Sequence, residues 1–172
     1  MTVIVGLLDN DTVHMCSDRG ISDDDIIVSM SAPKIRQNGP YIIGYADCPG
    51  TGQLLHYMTL PTPPKKNVEK FMRTTFVTAV RKALVDSGVD LKEGAHASFL
   101  IGVSGELYLM DTSDWQVLPV EYMAIGSGAS IAMGSLYTTA VWKSAEKRVK
   151  TAVSASIELS IGCRGPLDYL AV

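Results

Sequence analysis

The first third of the chain alternates short apolar runs with polar turn clusters, and this pattern predicts an antiparallel β meander. Turn clusters at 9–11 and 38–40 separate the runs. The segment 20–31, which carries three consecutive aspartates, is predicted mainly as a loop. The predicted strands of this region are residues 2–8, 12–17, 34–37 and 41–46.

Apolar side chains recur at helical spacing in the middle of the chain and near its end. Val68, Phe71, Phe76, Val80 and Leu84 predict a long amphipathic helix over residues 67–87. Shorter helices are predicted at 52–60, 130–143 and 146–160. A second group of strands is predicted at 96–103, 106–110, 115–120 and 122–125, and residues 167–172 are predicted to be a short tail.

Strands and helices therefore occur in separate runs: strands, two helices, strands, two helices. Such segregation predicts an α+β architecture, in which two sheets stack and helices cover both outer faces. The 172 residues are enough for one substantial core and are predicted to form a single domain, 1–172.

Composition and charge exclude several classes of function. Apolar residues make up 47% of the chain and charged residues 19%, which is typical of a globular protein. The net charge of −3 gives no reason to expect a nucleic-acid partner. Neither a signal peptide nor a membrane span is predicted, so the expected location is the cytoplasm. The three cysteines and three histidines are scattered, and we expect free thiols, no metal and no cofactor.

One spacing near the N-terminus carries candidate chemistry. Thr2 opens the first predicted strand, Asp18 ends the second, and Lys34 begins the third. If Met1 is removed, Thr2 has both a hydroxyl nucleophile and a free α-amine, which is a suitable base because its ordinary pKa is about 7.7 to 8.0. An ammonium beside that amine keeps it unprotonated, and a carboxylate keeps the ammonium charged and in place. Lys34 and Asp18 are predicted to play these two parts.

Five segments in order along the chain resemble one known family. They are 2–6 (TVIVG), 16–19 (CSDR), 33–35 (PKI), 42–46 (IIGYA) and 124–128 (AIGSG). In this respect the chain is similar to the β-type subunits of the proteasome, and most closely to the bacterial HslV-type peptidase. The resemblance extends over essentially the whole chain.

The resemblance implies the four-layer αββα sandwich of N-terminal-nucleophile hydrolases and a threonine-type peptidase. In that family pattern Thr2 is the nucleophile, Lys34 tunes its amine, Asp18 orients Lys34, and Ser127 supports the amine or a water. The loop of Ala46, Asp47 and Cys48 corresponds to the family's oxyanion and substrate loop. The implied partners are further copies of the chain in a ring (a hexamer or stacked rings), an ATP-dependent unfoldase, and peptide or unfolded-protein substrates.

The sequence departs from the family pattern at several places. Asp47 and Cys48 stand where the family usually has two glycines, and a carboxylate near a developing oxyanion opposes catalysis unless it points away. The stretch 159–165 lacks the aspartate that usually bonds the motif serine, and Ser160 is only a weak substitute. A retained Met1 acylates the amine of Thr2. These departures favour an alternative, a catalytically silent structural or assembly protein of the same fold. A small-molecule amidohydrolase is a third hypothesis.

Overall fold

The computed structural model describes residues 1–23, 25–90 and 96–172. Its strands are β1 (Ile4–Asp9), β2 (Thr12–Ser17), β3 (Gly20–Asp23), β4 (Ile26–Ser29), β5 (Ile35–Asn38), β6 (Tyr41–Ala46), β7 (Ser98–Val103), β8 (Glu106–Asp111), β9 (Val117–Pro119), β10 (Tyr122–Ile125) and β11 (Asp168–Ala171). Its helices are α1 (Pro49–Tyr57), α2 (Val68–Phe71), α3 (Val77–Asp86), α4 (Ala129–Thr138) and α5 (Ala145–Leu159). A π-helical segment, Met72–Phe76, joins α2 to α3 without a break, so the predicted long helix is present.

The first large sheet places three chain segments side by side at one end. Its strand order is β10-β1-β2-β11, and all its pairs are antiparallel. Ile4 of β1 lies opposite Ser17 of β2 and Ile125 of β10. The residues that precede Ile4 and follow Ser17 and Ile125 therefore meet at the same end of this sheet.

The second large sheet has the order β5-β6-β7-β8-β9 and is antiparallel throughout. Ile35 lies opposite Gly44, so the residue before β5 lies near the end of β6. Lys34 and the loop that follows Ala46 are thus brought to the same end of the sheet.

Three buried clusters show that the molecule has four layers. One cluster packs the outer face of the second sheet against α1 and the helical stretch from α2 to α3. Another packs the outer face of the first sheet against α4 and α5. The third lies between the sheets and includes Ile4, Met15, Ile35 and Leu100. Side chains at the start of the chain alternate between the two faces, since Val3, Val5 and Leu7 face the helices while Ile4 faces the other sheet. The predicted α+β fold with an αββα sandwich is confirmed.

The two sheets approach closely at a glycine. A Cβ on Gly44 would lie 2.5 Å from Cγ2 of Ile4 and 3.0 Å from Sδ of Met15. Distances of this size are sterically forbidden for a real side chain, so only glycine permits this spacing between the sheets.

Three predictions were wrong. The first third of the chain is not one meander, because β1 and β2 lie in the first large sheet and β5 and β6 in the second. The predicted loop 20–31 contains the hairpin β3–β4, in which Gly20 pairs with Ser29 and Asp23 with Ile26; Asp24 lies outside the described residues. The predicted tail contains β11, which pairs with β2 from Asp168↔Ser17 to Ala171↔His14. Most residues of β4 are exposed, so the usual alternation of buried and exposed positions is missing there.

Other predicted elements are present with shifted limits. Helix α1 begins three residues earlier than predicted, at Pro49, whose fixed φ suits the first turn of a helix. Helix α4 ends at Thr138 rather than at 143. Lys34 precedes β5 instead of beginning it. Among the described residues, no helix is long and apolar enough to cross a membrane.

Candidate active site

Thr2, Asp18 and Lys34 form one buried cluster at neighbouring ends of the two sheets. Thr2 is 5% exposed, Asp18 0% and Lys34 3%. The hydroxyl of Thr2 donates to Oδ1 of Asp18 at 2.9 Å. The ammonium of Lys34 donates to the same Oδ1 at 2.8 Å and also contacts Oγ1 of Thr2. The structure therefore brings together the three residues on which the sequence hypothesis depends.

The carboxylate of Asp18 accepts hydrogen bonds from four segments of the chain: the N-terminus, the residues after β2, Lys34 and Arg164. Its Oδ1 also accepts from the backbone N–H of Val3 at 3.0 Å. Its Oδ2 accepts from the backbone N–H of Gly20 at 2.8 Å and of Arg164 at 3.0 Å. With Thr2 and Lys34, the carboxylate thus has five donors, which is enough to hold a fully buried charge.

Lys34 uses its three ammonium protons on Thr2, Asp18 and the carbonyl oxygen of Gly20. Burial lowers the pKa of Lys34 below its ordinary value, and the charge of Asp18 opposes that shift. The lysine is therefore a paired cation whose proton is more easily released than that of a surface lysine.

Ser127 lies on the other side of Thr2. The backbone N–H of Thr2 donates to Oγ of Ser127 at 3.2 Å, and the carbonyl oxygen of Thr2 accepts from the N–H of Gly128 at 3.1 Å. Gly126 has a φ of 89°, and a Cβ there would lie 2.4 Å from the carbonyl oxygen of Thr2. The predicted Gly-Ser-Gly segment thus forms a close turn around the start of the chain, and glycine is required at 126.

Met1 occupies the approach to Thr2. Its carbonyl oxygen lies 3.5 Å from Nζ of Lys34, and its amine lies 3.4 Å from Oγ of Ser22. A Cβ on Gly162 would lie 2.5 Å from Sδ of Met1. While Met1 is attached, the nitrogen of Thr2 is an amide and has no basic lone pair.

Residues 46–48 form the end of β6 and the start of the loop after it, and Ala46 and Asp47 line the same pocket as Thr2 and Lys34. Asp47 has a φ of 75°, a left-handed conformation that glycine adopts without strain. Oδ2 of Asp47 accepts from Oγ of Ser98 on β7 at 3.0 Å, so the carboxylate is held toward that strand. The N–H of Cys48 donates to the carbonyl oxygen of Ala46 at 3.1 Å, which leaves the N–H of Asp47 as the candidate oxyanion donor.

A small pocket of about 30 Å³ opens onto Thr2. Met1, Lys34, Ala46 and Asp47 line it together with Ile21 of β3. The hairpin that the sequence predicted as a loop therefore forms one wall of the pocket.

Sequence reasoning missed the contribution of Gly20 and of the segment 160–164. A Cβ on Gly20 would lie 2.7 Å from the nitrogen of Arg164 and 2.8 Å from Oδ2 of Asp18. A glycine two residues after a candidate catalytic aspartate was the available signal for this close approach.

Ser160, the expected weak substitute for the family aspartate, accepts from the N–H of Gly162 at 3.3 Å. A Cβ on Gly162 would lie 2.9 Å from Oγ of Ser127, so this segment packs against the motif serine.

Comparison with known proteins gives matches among solved structures alone. No family model and no curated protein matches the chain. A Thiobacillus denitrificans structure, BPH in complex with epoxomicin, has a TM-score of 0.85 at 16% identity and covers 99% of this chain and 98% of its own. A second structure of Thiobacillus denitrificans BPH has a TM-score of 0.82 at 17% identity over 100% of this chain and 97% of its own.

Eukaryotic HslV from Trypanosoma brucei has a TM-score of 0.70 at 20% identity, and the match covers 99% of this chain and 98% of that one. The chain has the fold of the HslV-type proteasome family. In this HslV-type fold, the cluster of Thr2, Asp18 and Lys34 lies where the N-terminal strand of one sheet meets the other sheet.

Proposed function

We propose that this chain is a threonine peptidase subunit in which Thr2, once Met1 has been removed, cleaves peptide bonds. The observation that carries the proposal is the buried contact of the Lys34 ammonium with both Oγ1 of Thr2 and Oδ1 of Asp18. A buried ion pair contributes little net stability compared with well-packed apolar residues of similar volume. A purely structural role therefore does not account for a threonine hydroxyl that contacts both a buried lysine and a fully buried aspartate.

In the proposed mechanism, the α-amine of Thr2 accepts and donates the proton at each step. The α-amine of mature Thr2, held beside Ser127, accepts the hydroxyl proton while Oγ1 bonds to the scissile carbonyl carbon. Positive charge on Lys34 disfavours protonation of that amine before the reaction. The resulting ammonium of Thr2 then returns the proton to the leaving nitrogen, and the C–N bond breaks to give an ester on Thr2. Water, deprotonated by the same amine, hydrolyses the ester and restores the hydroxyl.

The backbone N–H of Asp47 is the proposed donor to the tetrahedral oxyanion, since Cys48 uses its own N–H within the loop. The carboxylate of Asp47 bonds to Ser98 and is thereby directed to β7. This contact limits the repulsion that the sequence departure at 47 would otherwise cause.

Self-association into a ring is part of the proposal, with unfolded protein or peptide delivered by an ATP-dependent unfoldase in the cytoplasm. It is supported by the fold shared with HslV from Trypanosoma brucei. It is also supported by large apolar side chains on and around α4 and α5, where Tyr137 is 76% exposed, Val141 88% and Ile161 90%.

The test compares two forms of the chain that differ in one residue. One form keeps Met1, and the other begins at Thr2 after cleavage of an N-terminal fusion. We expect the second form to hydrolyse fluorogenic peptides and to gain the mass of one epoxomicin on the Thr2 peptide, and the first form to do neither. Failure of the Thr2 form in both assays, with an unchanged circular dichroism spectrum, would refute the peptidase function.

Variants of the Thr2 form assign the roles. Thr2→Ala and Lys34→Ala are each expected to abolish turnover, whereas Thr2→Ser should retain it because the hydroxyl and amine remain. Lys82→Ala is the matched control, since Lys82 is exposed and pairs with Asp86 on the same helix. Turnover that survives in Thr2→Ala would exclude Thr2 as the nucleophile.

The contacts of Met1 support a second candidate function, a silent structural or assembly protein. The carbonyl oxygen of Met1 lies within 3.5 Å of Lys34, and its side chain packs on Gly162. Mass spectrometry of the chain from its own cell distinguishes the two functions. Complete retention of Met1 favours the silent protein, and its loss favours the peptidase.

A further inference from the structure

A second and larger pocket adjoins the Thr2 pocket. It has a volume of about 230 Å³, and its walls include Met30, Ala32, Arg36, Tyr45, Gln53 and Tyr57. Met30 and Tyr45 line both pockets, so the two spaces share a wall. The second pocket therefore lies next to the place where a peptide would bind at Thr2.

Arg36 gives the second pocket a positive charge. It follows Ile35, whose side chain is buried between the sheets, so alternation along β5 turns Arg36 to the opposite face. Its guanidinium carbon lies 4.4 Å from the centre of the Tyr57 ring. The ion pairs of the described residues do not include Arg36. An arginine that is oriented on an aromatic ring and lacks a carboxylate partner is suited to bind one from a ligand.

Among the described residues, the other side chains that line this pocket carry no compensating charge. His56 is buried, and burial lowers its pKa to about 4, so the imidazole is neutral at physiological pH. Gln53 is a neutral hydrogen-bonding group. Asp47 lines the Thr2 pocket but not the second pocket, and its carboxylate bonds to Ser98.

We propose that the second pocket binds an acidic side chain of the substrate, glutamate or aspartate, beside the bond that Thr2 cleaves, with Arg36 as the residue that selects it. This inference rests on the proposed peptidase function. The walls formed by Met30 and Ala32 contact the aliphatic part of the side chain, while the guanidinium of Arg36 donates to its carboxylate.

The first test measures binding and needs no turnover. Two fluorescein-labelled peptides that differ only in Glu or Gln at one position are titrated into the Met1-free Thr2→Ala chain, and fluorescence anisotropy is recorded. We expect the Glu peptide to bind about tenfold more tightly, which is the size of one charge-assisted hydrogen bond. Arg36→Gln should remove the difference, and Arg81→Gln should keep it. Arg81 is a matched control because it too lies over an aromatic ring, Trp115, at 5.7 Å.

The second test measures kcat/KM of the Thr2 form on fluorogenic peptides with Glu, Gln or Leu before the scissile bond. The Glu-to-Gln ratio should be about ten in the starting protein and about one in Arg36→Gln, and Arg81→Gln should leave the ratio at about ten. The Leu substrate gives the reference value for an apolar side chain. A ratio near one in the starting protein, or a ratio that Arg36→Gln leaves unchanged, overturns the inference while the peptidase function stands. If no peptide is cleaved, the peptidase function fails, and the binding titration alone decides whether Arg36 selects an acidic ligand.

Discussion

Replacing Lys34 by Met removes the ammonium from the buried cluster but keeps a long apolar stem. Asp18 then remains fully buried with the Thr2 hydroxyl and three backbone N–H groups as donors. Loss of one partner of a buried ion pair costs about 3–5 kcal/mol of unfolding free energy. We expect the lower end of that range for Lys34→Met, about 3 kcal/mol, because the remaining donors still solvate the carboxylate.

Asp18→Asn is expected to cost more than Lys34→Met, about 4–5 kcal/mol. The new amide NH₂ group must face either Lys34 or the N–H groups of Gly20 and Arg164, and each of these is a donor. In the double variant both charges are absent, so its cost should fall below the sum of the single costs by about 1–3 kcal/mol.

The assay is urea unfolding of the four proteins at pH 7, followed at several higher pH values. Because the pKa of Lys34 is lowered by folding, the unfolded chain binds more protons than the native one between the folded pKa and about 10.4. Over that interval the starting protein should gain stability with rising pH relative to Lys34→Met. The reasoning about this ion pair is refuted if the losses of unfolding free energy in the two single variants simply add in the double variant and if the starting protein and Lys34→Met have the same pH slope.

Three further predictions concern the frame around the site. In the native protein His56 stays neutral down to a pKa of about 4, whereas in the unfolded chain the imidazole is protonated below its ordinary pKa of about 6.5. The free energy of unfolding should therefore fall by about 2 kcal/mol from pH 7 to pH 5. His56→Gln should lack this loss when urea midpoints are compared. In α1, a Cβ on Gly50 meets nothing within 4 Å, whereas a Cβ on Gly52 would lie 2.1 Å from the Tyr45 ring. Gly50→Ala should thus raise the unfolding free energy by about 0.5–1 kcal/mol and Gly52→Ala should lower it, and equal effects in thermal melts would contradict this contrast. Ser144→Ala should cost about 1 kcal/mol in the same assay, because Oγ of Ser144 caps α5 by accepting from the N–H of Lys147 at 3.2 Å.

Elements with strong periodicity could be predicted from the sequence because one face of each is buried. The stretch from α2 to α3 is an example, since Val68, Phe76, Val80 and Leu84 all pack on the second sheet. The hairpin β3–β4 was missed because its segment carries adjacent aspartates and because the apolar run 26–28 is mostly exposed. Strand β11 was missed because its pairing partner, β2, is about 150 residues away in sequence, and a distant partner leaves no local pattern.

The site could be predicted in its principal groups but not in its supporting ones. Thr2, Asp18 and Lys34 lie together because each is next to the end of a strand that the pattern indicated, although those strands belong to two sheets and not to one meander. The N–H of Arg164 and the carbonyl of Gly20 are backbone groups, which any residue type can supply, so the amino-acid identity carried no signal for them. The direction of the Asp47 carboxylate depends on Ser98 of a neighbouring strand, and only the three-dimensional structure shows that contact.

The close approach of the two sheets at Gly44 links the inner core to the chemistry. Thr2 and Asp18 adjoin strands of one sheet and Lys34 adjoins a strand of the other, so the spacing between the sheets affects the distance from the ammonium to the hydroxyl. A packing change deep between the sheets therefore acts as a displacement of Lys34 relative to Thr2, even when no site residue is altered. For the proposed peptidase, core density around Gly44 is therefore expected to affect turnover, and activity should be lost at milder heating than that needed to unfold the protein.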